Sequence, residues 1–252
     1  MSFTDKVIIV TGASSGIGAD AAKHLAKLGG KVCLVGRNEK LLKNVAEEIK
    51  TSGSLVQPLV IVADVTKDAE QIIGDAVNHF GKLNVLVNNA GILQSDSVSN
   101  FSITQFDDIF NTNLRAVAIL TSLAVPHLEK TKGNIVNVSS VAGLKAFPGI
   151  LSYCISKAAL DQFTKCVALE LASKGVRVNS INPAMIRTPI FEKTGMSVEE
   201  ADKRMEAGKD VHPIGRIGEP SDTSEAIAYL ASDSASFITG VLFPVDGGFL
   251  MK

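Results

Sequence analysis

Cysteine is scarce in this chain: three among 252 residues, Cys33, Cys154 and Cys166, none forming a C-x-x-C pair. That scarcity argues against a zinc site or a disulfide framework, and it suits a reducing compartment. All three thiols are expected inside strands or helices. Charge of either sign is not in excess. The net value is −1 and no basic tract occurs, so there is no electrostatic case for a nucleic-acid partner. Long hydrophobic runs are missing too. Val7-Ile8-Ile9-Val10 near the amino end is too short for a signal core or a membrane span, and no later stretch is expected to span one. Phe249-Leu250-Met251-Lys252 matches no familiar carboxyl-terminal address. The expectation is a cytoplasmic protein with no membrane insertion. With no repeat or low-complexity linker, 1–252 is read as one domain.

Apolar residues, at 46%, suffice to cover both faces of a sheet. Short runs rich in Val, Ile and Leu at 7–10, 31–35, 56–62, 85–87, 134–138, 176–181 and 241–245 lack alternation, as strands buried on both faces do. Helical spacing fills 17–28, 39–51, 68–80, 105–128, 151–173 and 220–231. Such alternation predicts an α/β fold, a doubly wound parallel sheet with right-handed crossovers. The segment 187–212 interrupts it, mixing Pro189, Gly195 and Gly208 with Ile190, Phe191, Met196 and Met205. A stretch of that kind is expected to form a mobile cover over a site.

The first strand runs into Thr11-Gly12-Ala13-Ser14-Ser15-Gly16-Ile17-Gly18 and then a helix. Glycines in such a turn let the backbone approach a pyrophosphate, whose charge meets the positive helix end. Later, Tyr153 and Lys157 stand four apart in a helical run and share a face. A lysine beneath a phenol is expected to lower its pKa from about 10, making it a usable proton donor and acceptor. Ser140 follows the strand 134–138 at the end where open α/β sheets bind ligands, and its hydroxyl is placed to hold a carbonyl oxygen. Ser139 is the rival, read as a turn cap. Cys154 points away from the tyrosine and is read as packing.

The Gly-x-x-x-Gly-x-Gly spacing, Thr11, Asp64-Val65, Asn88-Asn89-Ala90-Gly91, Asn113, Ser140, Tyr153 with Lys157, Pro183 and Asp246-Gly247-Gly248 together resemble the short-chain dehydrogenase/reductase family. The marks extend from residue 11 to 248. The resemblance implies a single Rossmann-like sheet of about seven strands. It selects Ser140, thirteen residues before the tyrosine, as the catalytic serine. It implies that Gly12, Ser14, Ser15, Gly16, Ile17 and Gly18 cradle a nicotinamide dinucleotide. Asp64 and Val65 would border the adenine, and Asn89, Ala90 and Gly91 would support the ribose and sheet edge. Pro183, Ile186 and Thr188 would lie at the nicotinamide, and Lys157 would also hold its ribose. Asn113 would break a helix locally and anchor a water beside the lysine. One departure is Ala184, where the family often has glycine after the proline.

The second strand ends Val35-Gly36-Arg37-Asn38. An NAD site usually places an acid there for the ribose hydroxyl; Gly36 supplies none, whereas Arg37 offers a guanidinium to a 2′-phosphate. Ser14 and Ser15 add hydroxyls, although many NADP-binding relatives are basic at position 15. NADP(H) is therefore the expected cofactor, with NAD(H) as the alternative and no metal. Candidate substrate residues are Leu93, Ala142, Leu144, Phe147, Met185, Phe191 and Met196. They are apolar and come without an arginine cluster, which suggests a lipophilic ketone or secondary alcohol such as a steroid or terpenoid. A 3-oxoacyl-thioester reductase is the alternative within enzymes, and a non-catalytic NADPH-binding regulator the alternative outside them. A sugar-nucleotide epimerase would show another glycine spacing and a larger carboxyl-terminal region. An enoyl reductase would place the lysine further from its tyrosine. Apolar residues on several faces of 105–128 and 151–173 (Leu114, Val117, Leu120, Phe163, Val167, Leu171) suggest a homo-oligomer, a tetramer or dimer.

Overall fold

The computed structural model describes residues 1–54 and 56–252. Seven parallel strands lie in the order β3-β2-β1-β4-β5-β6-β7. They are β1 (Val7–Thr11), β2 (Lys31–Gly36), β3 (Leu59–Val62), β4 (Val85–Asn88), β5 (Asn134–Val138), β6 (Arg177–Pro183) and β7 (Leu242–Val245). The helices are α1 (Gly16–Lys27), α2 (Glu39–Thr51), α3 (Ala69–Phe80), α4 (Ile103–Phe110), α5 (Ala116–Thr131), α6 (Leu151–Leu171), α7 (Val198–Ala207) and α8 (Pro220–Ala231). β3 starts three residues later than its apolar run. Pro58, which has no N–H for a ladder, stands just before it.

Successive side chains of β1 face opposite ways, and so divide the core. Ile8 and Val10 join Leu34, Val87 and Val136 beneath α1, α2 and α8, meeting Leu25, Leu42, Ile49 and Ile227. Val7 and Ile9 join Val35, Leu86 and Ile135 beneath α3, α5 and α6, meeting Ile72, Leu120, Leu128 and Leu171. Burying each large aliphatic side chain contributes about 1.5–3 kcal/mol, so both helical layers are held by the same strands.

The predicted helix 105–128 is two helices joined by one π turn, Asn111–Arg115. Together Ile103–Thr131 form a helical stretch long and apolar enough, by length and composition, to cross a membrane, contrary to expectation. Its buried side nonetheless packs on the sheet through Val117, Leu120, Ala124 and Leu128. Cys33 is buried as expected and Cys154 half-buried, whereas Cys166 is exposed. The outward thiol follows from the register of α6, where Ala168 and Leu171 take the inward positions. In 187–212, α7 opens on a capping box made by Ser197 and Glu200, and short 3₁₀ turns flank it at Glu192–Thr194 and Gly208–Val211.

Candidate active site

Strand order reverses between β1 and β4, and the loops leaving their carboxyl ends face one another there. Thr11 ties them: its hydroxyl accepts from the amides of Asn89 and Ala90 at 3.0 Å each and donates to the Val87 carbonyl. Asn89 Nδ2 donates back to the Thr11 carbonyl at 2.8 Å. Gly12 and Gly16 adopt φ of 66° and 56°, in the left-handed region. At Gly18 close packing is the constraint: a Cβ would stand 2.3 Å from Asn89 Nδ2 and 2.4 Å from the Gly12 carbonyl oxygen. α1 then begins with no acid in its first turn, leaving its positive end to an anion.

A cleft of about 940 Å³ opens over these loops. Gly12, Ser14, Ser15, Gly16, Ile17, Arg37, Asp64, Val65, Asn89, Ala90, Gly91, Pro183, Ile186 and Thr188 line it, beside Ser140, Tyr153 and Lys157. A glycine cradle, a helix end without acid and a long cleft fit a dinucleotide. Gly36 and Ser14 are neighbours: a Cβ on the glycine would lie 3.7 Å from that of the serine. Asp64 is engaged locally, accepting from the Thr66 amide at 2.9 Å and hydroxyl at 2.8 Å. Burial pushes its carboxyl up, but those hydrogen bonds and the charge of Arg37 outweigh it and hold the pKa below the ordinary value.

α6 carries Tyr153 and Lys157, and its amino end is fixed from afar. Asp96, buried in the loop after β4, accepts from the Ser152 amide with both carboxylate oxygens at 3.1 Å and from the Ser152 hydroxyl. Lys157 is buried; its ammonium donates to the Val138 carbonyl at 2.9 Å and lies 5.6 Å from the Tyr153 ring centre. Ser140 accepts from the Ala142 amide at 3.1 Å and hydrogen-bonds the tyrosine. Asn113 stands behind the cleft wall, in the π turn. Its Oδ1 accepts from the Ile92 amide at 2.9 Å, and its Nδ2 donates to the Ile92 carbonyl and the Ser156 hydroxyl.

The protonation expected of the pair needs correcting. Burial pushes the Tyr153 phenol up to about 12, with the Ser140 hydrogen bond pulling the other way. Burial also brings Lys157 down to about 8. The ammonium is turned to Val138, so in this state the loss of water around the phenol outweighs the cation.

Of the expected substrate residues, Leu93, Ala142, Phe147, Met185 and Phe191 line the cleft; Leu144 and Met196 do not. Leu144 ends the 3₁₀ turn Val141–Gly143, which directs it outward, and it is 40% exposed. Met196 follows the left-handed Gly195, where the chain turns away into α7. Polar lining residues were missed, among them Gln94, Arg115, Arg204 and His212. Arg204 projects from α7 and stacks over Phe191 at 4.9 Å. His212 Nδ1 donates to the Gly208 carbonyl. No motif marks any of these four; only the folded chain brings them together. Leu114, Phe163 and Val167, half-buried, leave part of the π turn and of α6 uncovered, but Val117, Leu120 and Leu171 belong to the core.

A family model described as enoyl-(acyl carrier protein) reductase matches residues 12–250. The chain belongs to the short-chain dehydrogenase/reductase family. It is similar to the L-xylulose reductase of Caenorhabditis elegans, with 37% identity over 249 residues, 98% of this chain and 96% of that one. It is 34% identical to the 3-oxoacyl-acyl-carrier-protein reductase FabG of Thermotoga maritima over the full length of both. Among solved structures, a C. elegans short-chain dehydrogenase/reductase of unknown function with cofactor superposes at a TM-score of 0.94, with 38% identity over 99% of this chain and 96% of that one. The chain is thus an oxidoreductase of CH–OH and C=O groups, in a family that uses nicotinamide dinucleotides and is commonly oligomeric.

Proposed function

We propose that the protein is an NADP(H)-linked reductase of a lipophilic ketone, run in reverse as a secondary-alcohol dehydrogenase. The observation that carries the cofactor preference is the end of β2: Gly36 and Arg37 line the cleft and neither is acidic. Arg37, exposed and lining the same cleft as Ser14 and Ser15, suits a 2′-phosphate. Gly12, Ser14, Ser15, Gly16, Ile17 and Gly18 would hold the pyrophosphate side, Asp64 and Val65 the adenine, and Asn89, Ala90 and Gly91 the ribose. Pro183, Ile186 and Thr188 would hold the carboxamide. When bound, the reduced nicotinamide supplies the hydride.

Ser140 donates a hydrogen bond to the carbonyl oxygen as negative charge gathers there, and Tyr153 hands the oxygen its proton. Burial pushes the phenol up, so it stays protonated at neutral pH, the form a donor needs. Lys157 contributes its positive charge beneath the phenol. Asn113 is proposed to hold a water there, through which the phenol regains its proton from solvent. One helical turn between Tyr153 and Lys157 supports carbonyl rather than enoyl chemistry.

Leu93, Ala142, Phe147, Met185 and Phe191 give the substrate side an apolar wall, which supports a steroid- or terpenoid-like ketone. The segment 187–212 would be its lid, bringing Phe191 and Arg204 to the cleft. A second reading is favoured by Arg115 and Arg204. These two exposed cations at the cleft suit a 3-oxoacyl thioester on an acidic carrier, the kind of substrate named for the FabG relative. The chain is further proposed to work in a reducing compartment, the cytoplasm, and to assemble as a homotetramer. Exposed Ile155 and Leu169 on α6 support the assembly.

The deciding experiment follows NADPH and NADH oxidation with ketosteroids, quinones, diketones and acyl thioesters. Turnover of a lipophilic ketone with NADPH supports the reading, and turnover of thioesters alone moves the chain to fatty-acid chemistry. Tight NADPH binding with no turnover on any of them overturns the enzyme mechanism in favour of a regulator.

A further inference from the structure

The catalytic helix carries a buried carboxylate that the mechanism leaves unused. Asp161 follows Lys157 by one helical turn and is 4% exposed. A buried carboxylate is unfavourable unless donors surround it, and here β6 supplies them. Asn182 Nδ2, at the end of β6, donates to both Asp161 oxygens at 3.0 Å. The same nitrogen donates to the Ser140 carbonyl at 3.0 Å. The Ser180 hydroxyl, two residues earlier on β6, donates to Oδ1 at 3.4 Å. The turn after Ser140 leaves room for the acid: a Cβ on Gly143 would stand 2.3 Å from Asp161 Oδ2 and 2.9 Å from the Lys157 carbonyl oxygen. That carbonyl also accepts from the Ser139 hydroxyl at 3.3 Å.

We infer that Asp161 is a positioning residue: its negative charge, one turn below Lys157, keeps the buried ammonium charged, and through Asn182 it holds the Ser140 peptide in place. The inference rests on the reductase reading of Ser140, Tyr153 and Lys157. An acid is needed at that point because, among the described residues, the ammonium's hydrogen bond goes to a neutral carbonyl, that of Val138. Burial drives the lysine down, and the charge of Asp161 acts in the opposite direction. Burial likewise pushes Asp161 up, while Ser139, Asn182, the charge of Lys157 and Ser180 draw it back. The surrounding elements bring neutral groups to this spot: Ser139 and Ser140 from the end of β5, Ser180 and Asn182 from β6, and Asn113 from the π turn. On α6 itself Tyr153, Cys154, Lys157 and Asp161 titrate on the covered side, and Lys165, Cys166 and Glu170 on the exposed side. The two ends of the reaction apparatus, serine and lysine, therefore share one buried carboxylate.

The test is Asp161→Asn in the full chain, with Asp161→Ser, smaller and neutral, as the second variant if the amide does not fold. Lysines labelled with ¹³C at Cε are titrated by NMR, and the Lys157 resonance is assigned by its loss in Lys157→Ala. Without the acid, the Lys157 midpoint should fall by roughly one pH unit. The alkaline limb of kcat/KM for carbonyl reduction should move down with it, while the melting temperature of the folded variant reports packing separately. A Lys157 midpoint that stays in place in a folded neutral variant overturns the inference, even if kcat drops. Because the NMR titration needs no substrate, it decides the role of Asp161 even if the wild-type chain reduces no carbonyl, an outcome that sinks only the reductase reading.

Discussion

Gly36→Asp should convert the cofactor preference, and the structure allows its size to be worked out. A Cβ at this glycine would lie 3.4 and 3.7 Å from the Leu42 methyls and 3.7 Å from Ser14 Cβ, all ordinary contacts, and its φ lies outside the left-handed region. The aspartate is therefore accommodated without backbone strain. Set about 4 Å from a 2′-phosphate of nearly two charges, it repels by about 2 kcal/mol in a water-like dielectric. Toward NADH it gains a charged hydrogen bond to the ribose hydroxyl, about 1.5–3 kcal/mol. The sum, roughly 3.5–5 kcal/mol, corresponds to between two and four decades in the ratio of kcat/KM for the two cofactors. Arg37 is exposed, so water screens the site and a change of about two decades is expected. Steady-state kinetics with each cofactor, beside a melting curve to show that the variant folds, measures it. A wild type that already prefers NADH, or a folded variant whose ratio moves less than about threefold, would refute the assignment of this strand end.

Other outcomes follow from the same geometry. Tyr153→Phe should lower turnover by at least about 10² to 10⁴-fold while NADPH binding, read by fluorescence titration, stays near wild type; lost binding would contradict the proton-donor role. Asp96→Ala removes the acceptor for the Ser152 amide and should lower stability by about 1–2 kcal/mol in urea unfolding; an unchanged midpoint would mean that α6 does not depend on that cap. Lys157 gives a signed pH effect on stability. Its folded pKa of about 8 lies below the ordinary 10.5, so the unfolded chain binds more protons in between. The penalty for burying the ammonium is therefore full below about 8 and is relieved as pH rises towards 10.5. Wild type should gain stability relative to Lys157→Met across that window, and parallel urea midpoints would refute the shift.

Local chemistry made much of this legible from residues alone. Unbroken Val and Ile runs announce strands covered on both faces, and the glycine turn announces itself by spacing. Tyr153 and Lys157 need only the helical period to come together. What escaped depends on contacts distant in sequence. Asp96 meets Ser152 across 56 residues, and Asp161 meets Asn182 across 21, with no pattern linking either pair. The direction of the Tyr153 shift escaped for a related reason. Spacing shows that a lysine is near, but only the fold shows how much water the phenol has lost and where the ammonium points. Leu144 and Met196 failed as pocket residues because one turn each decides which way an apolar side chain faces.

The π turn at Asn111–Arg115 has an evolutionary side. Such a turn is one residue longer than the α-helix it interrupts. Deleting a single residue there would let α4 and α5 fuse into one regular helix, a locally better structure. The deletion would also rotate α4 by about 100° relative to α5, taking Asn113 from Ile92 and Ser156. A chain that drifted toward the simpler helix would keep its fold and lose the Asn113 contacts on which the proposed proton route depends. At this place, regularity and activity select in opposite directions.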